Sequence, residues 1–194
     1  MPNRLRLVEA KTSKDLNVSI TPVREAFARL ANQGLLTVFP YKGTYVTIMS
    51  KEYLNDVYFL RKRLEVMAAE KGFPKLNDQD IAYYEQLCAA SDVAYDQGDL
   101  YESIRCGVMF HEHMFILSGS NLLMEMWYIV KYRIENIQAK TKPVMNARMS
   151  DRHRAMLEAL RGRDQEAYVA ALMEHLSSNT GQTFFPDEEN VHYD

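Results

Sequence analysis

Val18-Ser19-Ile20-Thr21-Pro22-Val23-Arg24-Glu25-Ala26-Phe27-Ala28-Arg29-Leu30-Ala31-Asn32-Gln33-Gly34-Leu35-Leu36 is the stretch whose reading decides the fold. Thr21 offers a side-chain oxygen for an N-cap, Pro22 suits the first helical position because the N–H it lacks would have no intrahelical partner there, and Gly34 closes the helix. Val23, Ala26, Phe27, Leu30 and Ala31 recur at helical spacing, so one stripe faces a core, while Thr21, Arg24, Glu25 and Ala28 face outward. Toward the N-terminus, a short helix over about residues 8–16 precedes this one across Asn17-Val18-Ser19-Ile20, which is helix-turn-helix spacing. Toward the C-terminus, Leu36-Thr37-Val38-Phe39, a Pro40-Tyr41-Lys42-Gly43 turn and Thr44-Tyr45-Val46-Thr47-Ile48 predict a β-hairpin. Helix, turn, helix and hairpin make a winged helix-turn-helix, assigned to residues 1–50.

In that fold the second helix enters the major groove of double-stranded DNA and its N-terminal residues reach base edges. Arg24 is placed to bond the O6 and N7 of a guanine bidentately. Lys42 and Gly43 at the wing tip suit a phosphate or the minor groove, and the Ser19 and Thr21 hydroxyls suit the DNA backbone. The plainer alternative for Arg24 is a solvated helix face. Charge follows the same division: residues 1–50 carry seven Lys/Arg against Glu9, Asp15 and Glu25, a surplus of four, although the whole chain has a net charge of −3. A basic small domain on an acidic larger one suits a nucleic-acid reader joined to a sensing or dimerising body.

From Lys51 onward the periodicity is helical, with helices expected over 51–71, 77–97, 100–117, 121–140, 150–161 and 164–178. Gly72-Phe73-Pro74, Gln97-Gly98-Asp99, Ser118-Gly119-Ser120, Lys142-Pro143 and Gly162-Arg163 break them, and Ser150 and Asp164 suit N-caps. The fold class is therefore mainly α: a winged helix-turn-helix, then an all-helical domain over 51–183 and an acidic tail over 184–194. A chain of 194 residues with 47% hydrophobic residues buries a real core and excludes bulk disorder. No run of about 18 uncharged apolar residues occurs and the N-terminus is polar, so neither a membrane span nor a signal peptide is expected and the protein is assigned to the cytoplasm. Cys88 and Cys106 lack metal-type spacing and read as buried free thiols. His111, His153 and His175 each fall on the inward face of a different helix, whereas His113 faces away. Arg61 and Glu65 form an i, i+4 pair directed at the bundle interior, where charge is costly unless paired.

Ser19-x-Thr21-Pro22-Val23-Arg24-Glu25-Ala26-x-x-x-Leu30-x-x-x-Gly34-Leu35, followed by the Gly43 wing, resembles the DNA-binding domain of GntR-family transcriptional regulators. The body resembles the all-helical FCD effector domain of the FadR-type branch, through Arg61-x-x-Leu64-Glu65, Phe110-His111 with Ser118-Gly119-x-Asn121, and His153-x-x-x-Leu157-x-Ala159-Leu160-x-Gly162-x-Asp164 ending in Met173-x-His175-Leu176. This resemblance implies a homodimeric regulator on a palindromic operator, commonly a repressor relieved by a small carboxylate effector. It implies that His111, His153 and His175 converge on one divalent metal ion, for which imidazole suits Zn²⁺ or Ni²⁺. For Arg61 it leaves two readings open, a structural ion pair with Glu65 and an arginine that helps to hold an effector carboxylate beside the metal.

The sequence departs from the family's pattern in four places. The family's fourth metal ligand, an aspartate one turn before the first histidine, corresponds to Gly107; a common arginine corresponds to Ile20 and a common basic residue to Ala10. Family members also open the winged domain with a helix, whereas six residues precede Leu7, so that helix is expected to be missing or vestigial. Two alternatives stay open: a degenerate member acting as a ligand-binding or dimerisation module with impaired DNA binding, and a metal hydrolase using the histidines to activate water. Against the second, no general base, Ser/His/Asp or Cys/His pattern or glycine-rich phosphate loop is found in the sequence.

Overall fold

The computed structural model describes residues 5–47, 51–140 and 148–178. The acidic tail 184–194, the strand end at Ile48 and the Lys142-Pro143 break lie outside the described residues.

The N-terminal unit is a winged helix-turn-helix: β1 (Arg6–Leu7), α1 (Glu9–Asp15), α2 (Ile20–Asn32), β2 (Leu36–Phe39) and β3 (Gly43–Val46). The sheet order is β1-β3-β2, all antiparallel, with Arg6 opposite Tyr45 on one side of β3 and Thr37 opposite Tyr45 on the other. Strand β1 was not expected, because two residues are too short to show an alternating pattern. Val23, Phe27 and Leu36 form a small core, with Leu7, Leu30, Ala31 and Val46 packed against it. Ala26, expected on the inward stripe, is exposed. No residue of α1 is buried, and Leu5, Val8 and Leu16 stay exposed.

The start of α2 differs from expectation. Ser19, extended at φ −69 and ψ 163, is the N-cap residue, and Thr21 lies inside the first turn. Pro22 still costs nothing there, since the first four helical N–H groups have no intrahelical acceptor. Gly34 follows the helix at φ +76, and Gly43 opens β3 at φ +114, conformations that L side chains rarely adopt.

The body comprises α3 (Lys51–Gly72), a 3-10 turn (Phe73–Lys75), α4 (Asp78–Asp96), α5 (Leu100–Ser118), α6 (Asn121–Lys140), α7 (Met149–Arg152), α8 (Arg154–Arg161) and α9 (Gln165–Ser178). Helix α5 packs on α3 and α4, α6 lies against α3 and α5, and α9 is held between α8 and α3. Phe110, Met114, Phe115, Trp127, Tyr168, Leu172 and Leu176 are among the side chains of the shared core. Asn77 caps α4 by accepting from the Gln79 and Asp80 backbone N–H groups while Asp80 answers to the Asn77 N–H, and Asp164 caps α9 through the Ala167 N–H at 2.9 Å. Ser150 is not a cap: the helix expected over 150–161 is interrupted at His153 (φ −108, ψ 6), and the Ser150 N–H donates to Asp92 Oδ1 at 3.1 Å. Cys88 and Cys106 are both free and buried. Among the described residues no helix is long and apolar enough to cross a membrane.

Candidate functional site

The body's elements bring its expected site residues to one place. Helix α5 supplies His111, the joint between α7 and α8 supplies His153, and α9 supplies His175; one nitrogen from each lies within 4.8 Å of the others. His111 is 3% exposed and His153 4%, while His175 is half-buried. The His175 ring centroid lies 4.3 Å from that of His153 and 5.2 Å from that of His111.

Hydrogen bonding sets the tautomers. His153 Nδ1 lies 3.1 Å from the Met149 carbonyl oxygen, which can only accept, so Nδ1 carries the proton and Nε2 the lone pair. His111 Nδ1 lies 2.6 Å from Glu65 Oε2, and Glu65 Oε1 accepts from Arg61 Nε at 2.5 Å. Burial alone would raise the Glu65 carboxyl, but the charges and hydrogen bonds of His111 and Arg61 draw it down to about 2. As a carboxylate it too can only accept, which leaves His111 Nε2 as a second lone pair. The two Nε2 atoms face each other at 3.2 Å. Unprotonated, they repel at that distance, and His111 and His153 would hold a metal ion through these lone pairs. Metal–imidazole bonds of about 2.0–2.1 Å in a tetrahedral site would set the two nitrogens roughly 3.3 Å apart.

The protonation state agrees with that geometry. Burial lowers the pKa of His111, and of His153 well below the usual 6.5, with the neighbouring His111 and Arg152 lowering His153 further. Burial, then His153 and His111, lower that of His175. All three imidazoles are thus neutral near pH 7, the form that binds metal. The donor set fits a metal ion, and the Glu65–His111 and Met149–His153 bonds are the outer contacts that orient ligating histidines.

Sequence reasoning paired Arg61 with Glu65 but did not find that Glu65 reaches His111, 46 residues away, or that the Met149 carbonyl holds His153. No local spacing announces such contacts. Arg61 is 6% exposed, with its guanidinium carbon 5.9 Å from the ring centres of both Tyr58 and Trp127. Trp127 is buried, and its indole Nε1 has no hydrogen-bond partner among the described residues. Gly107, one turn before His111, contributes no side chain; the atom nearest to where its Cβ would stand is Met149 Sδ, at 3.9 Å. His113 stays apart, its Nε2 2.9 Å from Asp80 Oδ1.

The second group of expected residues lies on the winged domain. Ser19, Thr21 and Arg24 are exposed at the start of α2, and Lys42 is exposed at the wing tip. Arg24 Nε donates to Glu9 Oε2 at 3.1 Å, so α1 places a carboxylate on the recognition helix's leading arginine. Gly43 lets the Arg6 side chain approach, with Nε 3.0 Å from where a Cβ would stand; Arg6 is a basic group of the wing that sequence reasoning did not single out. Ile20 is 40% exposed and Ala10 exposed, so a basic residue at either position would reach solvent. The two units touch through Arg133 of α6. Its guanidinium lies 2.8 Å from where a Cβ of Gly34 would stand, and it donates to the Tyr53 hydroxyl of α3 at 2.7 Å and the Ile129 carbonyl at 2.6 Å.

Comparison with known proteins agrees with this architecture. Residues 56–178 match the family described as FCD domain, and residues 6–46 the one described as bacterial regulatory proteins, gntR family. The HTH-type transcriptional regulator McbR of Escherichia coli (strain K12) is 27% identical over 178 residues, covering 90% of this chain and 80% of McbR. The HTH-type transcriptional repressor RspR of the same organism is 26% identical, covering 88% of this chain and 75% of RspR. The solved structure of E. coli McbR/YncC superposes with a TM-score of 0.76 at 27% identity, covering 91% of this chain and 85% of that one. These relatives are transcription regulators and not enzymes.

Proposed function

The chain belongs to the GntR family of bacterial regulatory proteins, with an FCD domain after its winged helix-turn-helix, and is a DNA-binding transcription regulator; from that premise we propose a homodimeric cytoplasmic repressor governed by a metal ion and a small carboxylate effector in the helical domain. The observation that carries the metal is the pair of facing imidazole lone pairs, His111 Nε2 and His153 Nε2, with His175 beside them. Arg61 and the indole N–H of Trp127, which has no partner among the described residues, support the effector, because a carboxylate between them would give the buried N–H its acceptor. Ser19, Thr21, Arg24, Lys42 and Gly43 form the DNA-contacting set, with Arg24 reading a base and the others positioning the domain.

A palindromic operator needs two winged domains, and the body offers apolar groups for pairing: Phe59, Leu60 and Met67 on α3, and Leu122, Tyr128 and Ile129 on α6 are exposed. The effector acts by preferring one arrangement of the two winged domains over the other. Arg133, seated on Gly34 at the end of the recognition helix, is the contact through which the body biases that arrangement.

Elemental analysis of protein purified without chelators tests the metal, alongside His111→Ala and His153→Ala/His175→Ala variants. About one metal per chain, lost in both variants, is the expected result; none under metal-replete conditions overturns it. Duplex binding at stepped salt concentrations tests the DNA assignment. Salt-sensitive binding that is lost in Arg24→Ala supports the regulator, whereas salt-insensitive or absent binding favours a module impaired in DNA reading, to which the Glu9–Arg24 pair and exposed Ile20 would belong.

A further inference from the structure

We propose that Met149 supplies a thioether ligand beside the three histidines, and that the centre selects a soft monovalent cation, copper(I), over a dication. This rests on reading the histidine cluster as a metal centre.

Met149 is hydrogen-bonded to His153 and borders the α5 turn that precedes His111. Its carbonyl accepts from His153 Nδ1 at 3.1 Å, and its sulfur lies 3.9 Å from where a Cβ of Gly107 would stand. Residues 107 and 111 are four apart on α5, so that point lies on the face from which His111 projects. Glycine there leaves that face without a side chain, and the Met149 sulfur borders the space at van der Waals distance. Met149 is 2% exposed, which keeps the thioether from solvent.

Charge separates monovalent from divalent ions. Three neutral imidazoles and a thioether offset none of a cation's charge. The carboxylate next to them, Glu65, is already matched by Arg61, and the Arg152 guanidinium adds positive field at all three histidines. A dication would bring two uncompensated charges into a buried site and a monocation one, and burying charge is costly. Donor chemistry points the same way, since thioether sulfur selects copper(I) among the metals that imidazole accepts.

The test is an anaerobic titration of metal-free full-length protein with copper(I) against a competing copper(I) chelator. Zinc(II) is titrated in parallel, and X-ray absorption is measured on the copper(I) form. The proposal expects one copper(I) per chain, a sulfur scatterer beside nitrogen, and copper(I) affinity lowered at least roughly tenfold in Met149→Leu, a volume-conserving change, with zinc(II) affinity within about twofold of wild type. Gly107→Asp, which adds a carboxylate, should move the preference toward zinc(II). A copper(I) form with nitrogen scatterers alone, or a Met149→Leu variant that binds copper(I) as wild type does, overturns the thioether while leaving the histidine centre standing. Failure of both metals to bind, with His111→Ala indistinguishable from wild type, overturns the centre itself.

Discussion

His111 and His153 confront each other through Nε2 atoms 3.2 Å apart, each with its Nδ1 already engaged, by Glu65 in one case and by the Met149 carbonyl in the other. Neither ring can turn away without giving up a buried hydrogen bond. On the proposed metal-centre reading this pair is oriented to receive a cation, and stability should report occupancy. Whichever of copper(I) or zinc(II) binds more tightly, at about a thousandfold its Kd, should stabilise the protein by about 4 kcal/mol. Urea denaturation with and without metal checks this, and His111→Ala should erase the difference.

The metal-free protein should lose stability on acidification in two stages. The histidine pKa values are depressed in the folded state, so the unfolded chain binds more protons as pH falls below the ordinary value of 6.5, and stability declines from there. Glu65, held at about 2 against an ordinary 4.5, contributes stability that is present above pH 4.5 and is lost as pH falls toward 2. The second stage amounts to on the order of 3 kcal/mol. Unfolding free energies measured from pH 8 to pH 2 should show both, and Glu65→Gln should remove the second.

At neutral pH the same substitution has a structural cost. Glu65→Gln leaves the Arg61 guanidinium buried without its counter-charge, and breaking a buried pair from one side costs about 3–5 kcal/mol. Arg61→Met/Glu65→Gln, which removes both charges, should recover part of that loss. A double-mutant cycle by chemical denaturation measures the coupling.

On the winged domain, Arg24→Ala should weaken operator binding by about 1–3 kcal/mol per half-site and relax discrimination at one base pair. The Glu9 pair is solvent-exposed and holds Arg24 weakly, since such pairs contribute about 0–1 kcal/mol. Glu9→Gln should therefore tighten binding a few-fold and nonspecifically by removing a negative charge from the DNA-facing surface. Duplex binding at two salt concentrations separates the two effects.

Gly34→Ala forces a side chain into positive φ and against the Arg133 guanidinium. A loss of about 1 kcal/mol or more is expected from the backbone alone. The informative comparison is Arg133→Met, which leaves the turn intact but removes the donor to Tyr53 and Ile129. If Arg133 couples the units, this variant should bind DNA and effector but lose the effect of one on the other.

How much of this was legible depended on sequence distance. Val23 and Phe27 announced the inward face of the recognition helix at helical spacing, and the hairpin turn announced itself through Pro40 and Gly43. The three histidines could be placed on inward faces because helical periodicity is local. Their mutual orientation was not legible, because it depends on Glu65 and on a backbone carbonyl, and a carbonyl carries no residue identity. Apolar spacing carried the expected helix smoothly through 150–161, and nothing in it marked the interruption at His153. Ser19 rather than Thr21 stands at the N-cap position of α2, without a side-chain capping bond, because both residue types suit that position and backbone conformation decides between them.

On the metal-centre reading, that interruption bears on how fast the ion would leave. A side chain within an unbroken helix can retreat only as far as its helix allows, whereas His153, at a joint between two short helices, can move by turning one φ/ψ pair and its own side chain once its bond to the Met149 carbonyl breaks. Occupancy would then end at the pace of cation dissociation rather than of helix unfolding, and the regulator would remember a passing metal pulse for about as long as the ion stays bound.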